Sequence, residues 1–160
     1  MATISQQVLD KFKAVFAGQP WYGNNIYSIL DGVTFETAYE KPSGTGHSSI
    51  EILLHMLAWT EEVTERMGGG AAKVPNRGDW PEAGEPDEQK WPQLVSYLKL
   101  ANANLEKAIL ELPGARWPEL VNDQRGTEPV STYEGLIEGF LQHQIYHAGQ
   151  IALLTKQING

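Results

Sequence analysis

Apolar residues recur every three to four positions along four stretches of the sequence, a spacing that predicts amphipathic helices. The first predicted helix runs from about Ser5 to Ala17. Its apolar side consists of Val8, Phe12 and Val15. Pro20 lacks an amide donor and cannot lie inside a regular helix, so we predict a break at Gly18-Gln-Pro20. A shorter periodic piece follows at residues 26–30.

The second predicted helix begins at a capping box. In Ser48-Ser-Ile-Glu51 the first serine hydroxyl accepts a hydrogen bond from the amide three residues on, and Glu51 reaches back to the serine amide. The stretch from Ile50 to Trp59 is apolar almost all round, which is typical of a helix buried between neighbours. Gly68-Gly-Gly70 ends this helix.

The third predicted helix spans about Trp91 to Leu112, with Pro92 in the first turn, where a missing amide is tolerated. A second capping box, Ser131-Thr-Tyr-Glu134, predicts the start of a fourth helix that continues to about Gln157. No stretch shows the period-two alternation of a half-buried strand. We therefore predict an all-α protein, a four-helix bundle whose pockets lie between helices.

The segment between the second and third helices, residues 68–89, is rich in glycine, proline and acidic residues. Asp79 to Lys90 carries five acidic residues and one basic residue. We interpret this segment as a solvated loop; a flap over a functional site is the alternative, because long loops in compact domains are either functional or disordered. Trp80 and Trp91 favour some anchoring of the loop, since exposed tryptophans are uncommon.

Composition narrows the class of protein. A chain of 160 residues, 41% of them hydrophobic, fits one domain over residues 1–160 with a sizeable core. The net charge of −8 disfavours nucleic acid and anionic membranes as partners, because both attract Lys and Arg. The absence of cysteine excludes disulfides and thiolate metal sites. Since no leader-like segment opens the sequence either, we expect a cytoplasmic location.

Three of the four histidines lie in the middle of apolar helices. His143 and His147 are four residues apart, so their imidazoles lie on one helix face about one turn apart. His55 lies in the second predicted helix. A lone buried imidazole can find partners in the protein, but three are harder to satisfy, because an uncompensated buried polar group costs roughly 1–3 kcal/mol. A shared divalent cation would bind one nitrogen of each ring, and ordinary core or surface histidines are the alternative.

The residue after His143 is Gln144, so the pair is not the HExxH motif and lacks the general base of that motif. If the site is catalytic, the metal must activate a water or a substrate thiol by itself or with help from another group. Sequence spacing nominates Glu51 and Glu62, four residues before and seven after His55, and Gln150, seven after His143.

Each of these candidates has an ordinary explanation. The capping box already accounts for Glu51, and Glu62 is interpreted as a solvated carboxylate. Gln150 is the best candidate for a neighbour of the metal, with a bridge between helices as the alternative. His47 precedes the capping serine and lies outside the helix of His55, so we interpret it as a residue of the helix start and not as a ligand.

Two segments resemble the DinB-like (DinB/YfiT) superfamily. They are Gly46-His-Ser-Ser-Ile-Glu-Ile-Leu-Leu-His-Met-Leu-Ala-Trp59 and Gln142-His-Gln-Ile-Tyr-His-Ala-Gly-Gln-Ile-Ala-Leu-Leu154. Gly18-Gln-Pro-Trp-Tyr-Gly23 is similar to one branch of it, and the resemblance extends from the first helix to the last. The specific features are the single histidine of the second helix and the HxxxH followed by Gly-Gln in the fourth.

The resemblance implies an up-down-down-up four-helix bundle that holds a divalent metal, nickel or zinc, on His55, His143 and His147. It also implies a homodimer. Family members of known activity are mostly thiol-dependent transferases or isomerases that use bacillithiol, mycothiol or glutathione, and many others are described as metal-dependent hydrolases. Gln144 stands where relatives often have an acidic residue, which puts an acid–base role at that position in doubt.

Two hypotheses follow for the function. In the first, the chain is an enzyme that acts on a small molecule, a metal-dependent thiol transferase or hydrolase in which the ion activates a bound thiol or water. In the second, it is a non-catalytic stress or binding protein in which the metal mainly joins the second helix to the fourth.

Overall fold

The computed structural model describes residues 1–42, 46–127 and 129–160. In chain order, the helices are α1 (Ile4–Ala17), α2 (Ile26–Asp31), α3 (Phe35–Ala38), α4 (Ser49–Met67), α5 (Lys90–Glu111) and α6 (Tyr133–Asn159). The described residues contain no β-strand; Leu120 and Thr132 form an isolated bridge. The prediction of an all-α fold is confirmed. The shorter periodic piece corresponds to α2, and α3 was not predicted.

Helix α4 packs against both α5 and α6 and therefore lies at the centre of the core. This explains why the apolar residues of α4 surround the helix instead of lining one side of it. Helix α5 buries Leu94, Leu98, Leu105 and Ile109, and Leu112, directly after the helix, is buried as well. Helix α6 buries Leu136, Phe140 and Ile151 on the side that also carries its histidines. Among the described helices, none is long and apolar enough to cross a membrane.

The ends of α4 follow the sequence prediction. Ser48 is the N-cap and accepts from the amide of Glu51, whose carboxylate accepts from the Ser48 amide at 3.3 Å. The helix ends at Met67, and the chain then turns back tightly. A Cβ at Gly70 would lie 2.9 Å from the carbonyl oxygen of Glu65, so this turn requires glycine. The position of α4, and hence of His55, is fixed at both ends by local sequence.

The start of α6 differs from the prediction. Its N-cap is Thr132, whose hydroxyl accepts from the amide of Gly135, so the predicted capping box of Ser131 and Glu134 is wrong by one residue. The reason is a nonlocal pairing: the Ser131 carbonyl accepts from the amide of Val121 at 2.9 Å, which holds Ser131 in extended chain. The helix can therefore begin only after this bridge.

Candidate metal centre

The three histidines predicted to share a metal lie together between α4 and α6. His55 comes from α4, and His143 and His147 come from successive turns of α6. One ring nitrogen from each can be chosen so that all three atoms lie within 4.8 Å of one another, and Nε2 of His55 is 3.0 Å from Nε2 of His143. His55 and His147 are 5% and 6% exposed. The structure thus brings residues from distant parts of the chain to one point.

The Nδ1 atom of each imidazole lies at hydrogen-bond distance from an oxygen atom. Nδ1 of His55 is 2.5 Å from the carbonyl oxygen of Asp79. Nδ1 of His143 is 2.9 Å from Oε1 of Gln144, and Nδ1 of His147 is 2.7 Å from Oε1 of Gln150. These oxygens can only accept, so each Nδ1 carries the proton and donates it. All three Nε2 atoms are consequently left with a lone pair.

The amide orientation of Gln144 is fixed by its own partners. Its Nε2 donates to the carbonyl of Met56 at 3.3 Å and to the hydroxyl of Thr60 at 3.2 Å, and that hydroxyl donates to the same carbonyl. The oxygen of Gln144 must therefore face His143. Gln144 is fully buried, so α4 determines, through this amide, which nitrogen of His143 remains unprotonated.

Burial keeps the imidazoles neutral. It is the main cause that lowers the pKa of His55 and of His143, against the opposing effects of Asp79 and Gln144. Burial lowers the pKa of His147 to about 4; the hydrogen bond with Gln150 opposes this shift, and the neighbouring imidazoles add to it. A metal ligand must be a neutral imidazole, and these three rings are neutral at pH 7.

The donor set fits a divalent cation. Two unprotonated Nε2 atoms at 3.0 Å repel each other unless a positive charge lies between or beside them. Three imidazoles that donate Nδ1–H to oxygen acceptors and bring ring nitrogens close together match the usual arrangement around zinc and similar ions. A tetrahedral zinc site places its nitrogens about 3.3 Å apart, close to the 3.0 Å between Nε2 of His55 and Nε2 of His143.

The loop between α4 and α5 covers the histidines. The indole of Trp80 is parallel to the imidazoles of His55 and His47, with ring centroids 3.8 and 3.7 Å away. Two rings so close and so parallel can only lie on opposite faces of the indole. Asp79 also accepts from Nε1 of Trp59 at 2.8 Å. Residues 79–80 thus form a flap, the alternative considered for this loop, whereas Glu82, Glu85, Asp87 and Glu88 are exposed as a solvated loop requires.

The other sequence candidates have different roles. Gln150 lies next to the centre and orients His147 from within α6; among the residues that the structure describes, it makes no hydrogen bond to a second helix. His47 lies outside the histidine cluster and contacts Glu51 at 3.2 Å, at the start of α4 as predicted. Burial opposes ionisation of Glu51, but hydrogen bonds from Lys41, His47 and Ser48 lower its pKa to about 2, which makes it a fixed anion.

The prediction of a solvated carboxylate at Glu62 is wrong. Glu62 is 2% exposed. It accepts from Nε of Arg66 at 2.5 Å and from the amide of Lys73 at 3.1 Å. The guanidinium one turn later supplies the charge that allows the carboxylate to be buried. Glu62 is therefore half of an internal ion pair that also holds the start of the loop.

Sequence reasoning missed Asp79, Trp80 and Trp59 as neighbours of the centre. Asp79 contributes a backbone carbonyl, which any residue could supply, so no residue-type signal existed for it. Trp80 and Trp59 did carry a weak signal, because large aromatic residues close to a histidine-bearing helix commonly find a partner for the ring or the indole N–H.

Two cavities flank the centre. The first, here called the Arg66 cavity, has a volume of about 220 Å³ and is lined by Trp59, Val63, Arg66, Leu136, Phe140 and His143, among others. The second, the Trp80 cavity, has about 510 Å³ and is lined by His47, Ile52, Trp80, Tyr146, His147 and Leu154, among others. A third cavity of about 310 Å³ lies between α4 and α5 and includes no histidine. Each flanking cavity thus reaches a different histidine of the centre.

Comparison with known proteins gives two findings. The chain is similar over 96% of its length to the crystal structure of a DinB-like protein from Bacillus subtilis, YjoA, of which 93% is covered, with a TM-score of 0.67 and 15% sequence identity. No curated protein matches the sequence. Residues 23–151 match the DinB superfamily. Because this match spans most of the chain and both histidine-bearing helices, the protein belongs to the DinB superfamily.

Proposed function

We propose that the protein is a metal-dependent enzyme, a thiol transferase or hydrolase, with a divalent ion on His55, His143 and His147. One observation carries the proposal: one ring nitrogen from each of the three histidines lies within 4.8 Å of the other two, while each Nδ1 lies at hydrogen-bond distance from an oxygen acceptor. When bound, the ion would supply Lewis acidity that lowers the pKa of a coordinated water or thiol. Nickel and zinc are the expected ions, since both suit imidazole ligands.

The residues of the chain would then have defined tasks. Asp79, Gln144 and Gln150 keep the imidazoles in the tautomer that binds metal. Trp80 covers one side of the centre and limits the access of bulk water there, since its indole stacks on His55. The substrate is a small molecule, with a low-molecular-weight thiol as one expected reactant, because the flanking cavities are of small-molecule size.

A second function is favoured by the position of the ligands. His55 comes from α4 whereas His143 and His147 come from α6, so a shared ion would join two helices that are far apart in sequence. A non-catalytic stress or binding protein stabilised by its metal would use the same residues. In that case the ion contributes to the free energy of unfolding and activates no substrate.

Further features belong to the same proposal. We expect the four long helices to follow the up-down-down-up order over a single domain of residues 1–160, and the chain to form a homodimer. We expect a cytoplasmic location and no nucleic acid or membrane partner, in keeping with the net charge of −8.

Metal analysis of natively purified protein tests the proposal first. The expected result is about one divalent ion per chain, lost in His143→Ala and retained in His47→Ala, the matched control from outside the cluster. A panel of thiols with an electrophile, and of esters and amides, then separates the two functions. Turnover that disappears with the ion supports the enzyme. Destabilisation by a chelator without turnover on any substrate supports the structural role, and a protein without metal contradicts both.

A further inference from the structure

The Arg66 cavity contains an unusual combination of side chains. Most of its wall is apolar, with Val63, Leu136 and Phe140, yet it reaches His143 on one side and the guanidinium of Arg66 on another. Arg66 is 8% exposed. Burying a cation on the wall of a small apolar cavity costs free energy unless an anion or a hydrogen-bond acceptor compensates it, because charged groups are seldom taken out of water without a partner.

The partners of Arg66 occupy only part of its guanidinium. Nε donates to Glu62, and Nη2 donates to the carbonyl of Lys73 at 3.0 Å. Nη1 makes no hydrogen bond to residues 1–42, 46–127 or 129–160. The ion pair with Glu62 explains why the charge is tolerated, but it leaves donor capacity unused. An arginine with free N–H groups is suited to a carboxylate, which matches its planar fork.

The wall on the α6 side is kept open by glycine. Gly135 and Gly139 are four residues apart and both line the cavity. A Cβ placed on Gly139 would have no atom within 4 Å, so no packing constraint in the structure demands glycine there. Glycine inside a helix is destabilising relative to alanine. Glycine at position 139 lowers the stability of α6 but leaves the volume beside it open for a ligand.

Trp59 connects the two ends of the cavity. Its ring centroid is 6.2 Å from that of His143, and Cζ of Arg66 lies 5.5 Å from the Trp59 centroid. A ligand that reached from the histidine end to Arg66 would lie along this indole. The volume of about 220 Å³ is sufficient for such a ligand, because a cavity of about 150 Å³ holds benzene.

We propose that the Arg66 cavity binds a small organic carboxylate, with the carboxylate group on Arg66 and an apolar body, about the size of a benzene ring, against Leu136 and Phe140. This inference rests on the proposed metal centre for one of its arguments. A divalent ion bound by three neutral imidazoles would keep its full positive charge, because none of the three histidines carries a negative charge. An anionic ligand next to the ion is therefore favoured.

Calorimetric titration of the zinc-loaded full-length protein tests the pocket, with benzoate as the probe and benzamide as its neutral counterpart. Benzoate is expected to bind at least tenfold more tightly than benzamide. Gly139→Leu fills the cavity and should weaken benzoate binding at least tenfold. Gly149→Leu is the matched control on the same helix, since Gly149 also has no atom near a Cβ but does not line the cavity. Equal benzoate binding by both variants would overturn the proposal.

The role of Arg66 needs a variant that still folds. Arg66→Met alone leaves the Glu62 carboxylate buried and unpaired, so the test uses the double variant Glu62→Gln/Arg66→Met, together with Arg66→Lys. The double variant should lose the preference for benzoate over benzamide, and Arg66→Lys should retain part of it. An unchanged preference in the double variant means that Arg66 does not hold the carboxylate, and the proposal then fails.

Failure of this inference can be distinguished from failure of the proposed function. Metal content and the same titrations on zinc-free protein are measured in parallel. A protein that binds zinc but shows no benzoate binding sensitive to Gly139→Leu contradicts the pocket alone. A protein that binds no zinc contradicts the proposed function, while benzoate binding that remains sensitive to Gly139→Leu and to the double variant supports the pocket by itself.

Discussion

Helix α4 buries an ion pair in one half of its length and a histidine in the other, and their polar atoms are satisfied in opposite ways. In the C-terminal half, Glu62 and Arg66 neutralise each other and hold both the amide and the carbonyl of Lys73. In the N-terminal half, His55 is satisfied on one nitrogen only, and its other nitrogen faces those of His143 and His147. The charges of the ion pair cancel within the chain, whereas the histidine centre contains no charge that offsets an ion and is incomplete without a cation.

This difference separates a pair whose charges balance within the fold from a centre that needs an added ion. A pair whose charges cancel can stabilise a loop junction without any outside component. Three neighbouring ring nitrogens with lone pairs repel one another and lower the free energy of unfolding of the metal-free protein. An ion bound to all three removes this repulsion, so metal binding should raise the free energy of unfolding. Substitutions in the ion pair should therefore change the stability of the fold, whereas metal and pH should act on the histidine centre.

The largest expected effect is the loss of one member of the ion pair. Arg66→Met leaves the Glu62 carboxylate buried and uncompensated, and should lower the free energy of unfolding by about 3–5 kcal/mol. Arg77→Met is the matched control, because Arg77 pairs with Glu61 of the same helix at 2.8 Å but the pair is more than one-third exposed. That variant should lose less than about 1 kcal/mol. Urea denaturation measures both.

The double variant Glu62→Gln/Arg66→Met completes this prediction. It should recover much of the stability lost in the single variant, because no unpaired charge remains. Zinc affinity should change little in any of these proteins if the two halves of α4 are independent. If the double variant loses as much stability as Arg66→Met, Glu62 and Arg66 stabilise the fold by packing and not as a charge pair.

The next effect is the pH dependence of the metal-free protein. The pKa of His147 is about 4 in the folded state and close to 6.5 when unfolded. The unfolded chain therefore takes up the proton first, and the stability should fall as the pH decreases from about 6.5 to 4. The loss is at most about 3 kcal/mol for this group. His55 and His143 act in the same direction because their pKa values are also lowered.

Urea denaturation at a series of pH values measures this effect. His147→Phe should have a shallower slope between pH 6.5 and 4.5. The fixed anion Glu51, with a pKa of about 2, loses its contribution only below its unfolded pKa, as the pH approaches 2, so it does not obscure this window. A slope unaffected by the substitution would show that His147 is not held neutral by burial.

The sequence predicts the histidine centre better than its surroundings, for a physical reason. Helical periodicity is local, so His143 and His147 necessarily share a face, and the apolar residues around His55 indicate that it is buried as well. The capping box at Ser48 fixes the register of α4 in the same local way. The flap of Asp79 and Trp80 is held by contacts with residues twenty or more positions away, and no local pattern encodes them.

The two wrong predictions have the same origin. Glu62 has its partner Arg66 one turn later, so a signal for the ion pair was present, but its burial depends on how the loop through Lys73 returns to the helix. Thr132 replaces Ser131 as the cap of α6 because Ser131 pairs with Val121. In both cases the local sequence allows two outcomes, a buried or a solvated Glu62 and a cap at Ser131 or Thr132. A backbone segment distant in sequence determines which of them forms.

A smaller effect is expected from the residue that orients His143. Gln144→Leu removes the acceptor for Nδ1, so the imidazole is free to adopt the wrong tautomer, and zinc affinity should fall about 10–100-fold. Gln142→Leu, the exposed neighbour of His143 on the other side, is the matched control and should bind zinc as the wild type does. Competition with a chromophoric chelator measures both affinities. Equal affinities would mean that the tautomer is not determined by α4.

The smallest effect is expected at Trp59, which lies between the histidine centre and the ion pair of Glu62 and Arg66. Its N–H donates to the Asp79 carboxylate, and Arg66 lies over its ring. Trp59→Phe removes the hydrogen bond and keeps an aromatic ring. Because the Asp79 side chain is 54% exposed, water can replace the lost donor, and the cost should be about 0.5–1.5 kcal/mol. Zinc affinity should then fall less than about tenfold, and the urea midpoint should shift only slightly. A larger loss of both together would show that Trp59 couples the ion pair to the histidine centre, and the two halves of α4 would have to be treated as one unit.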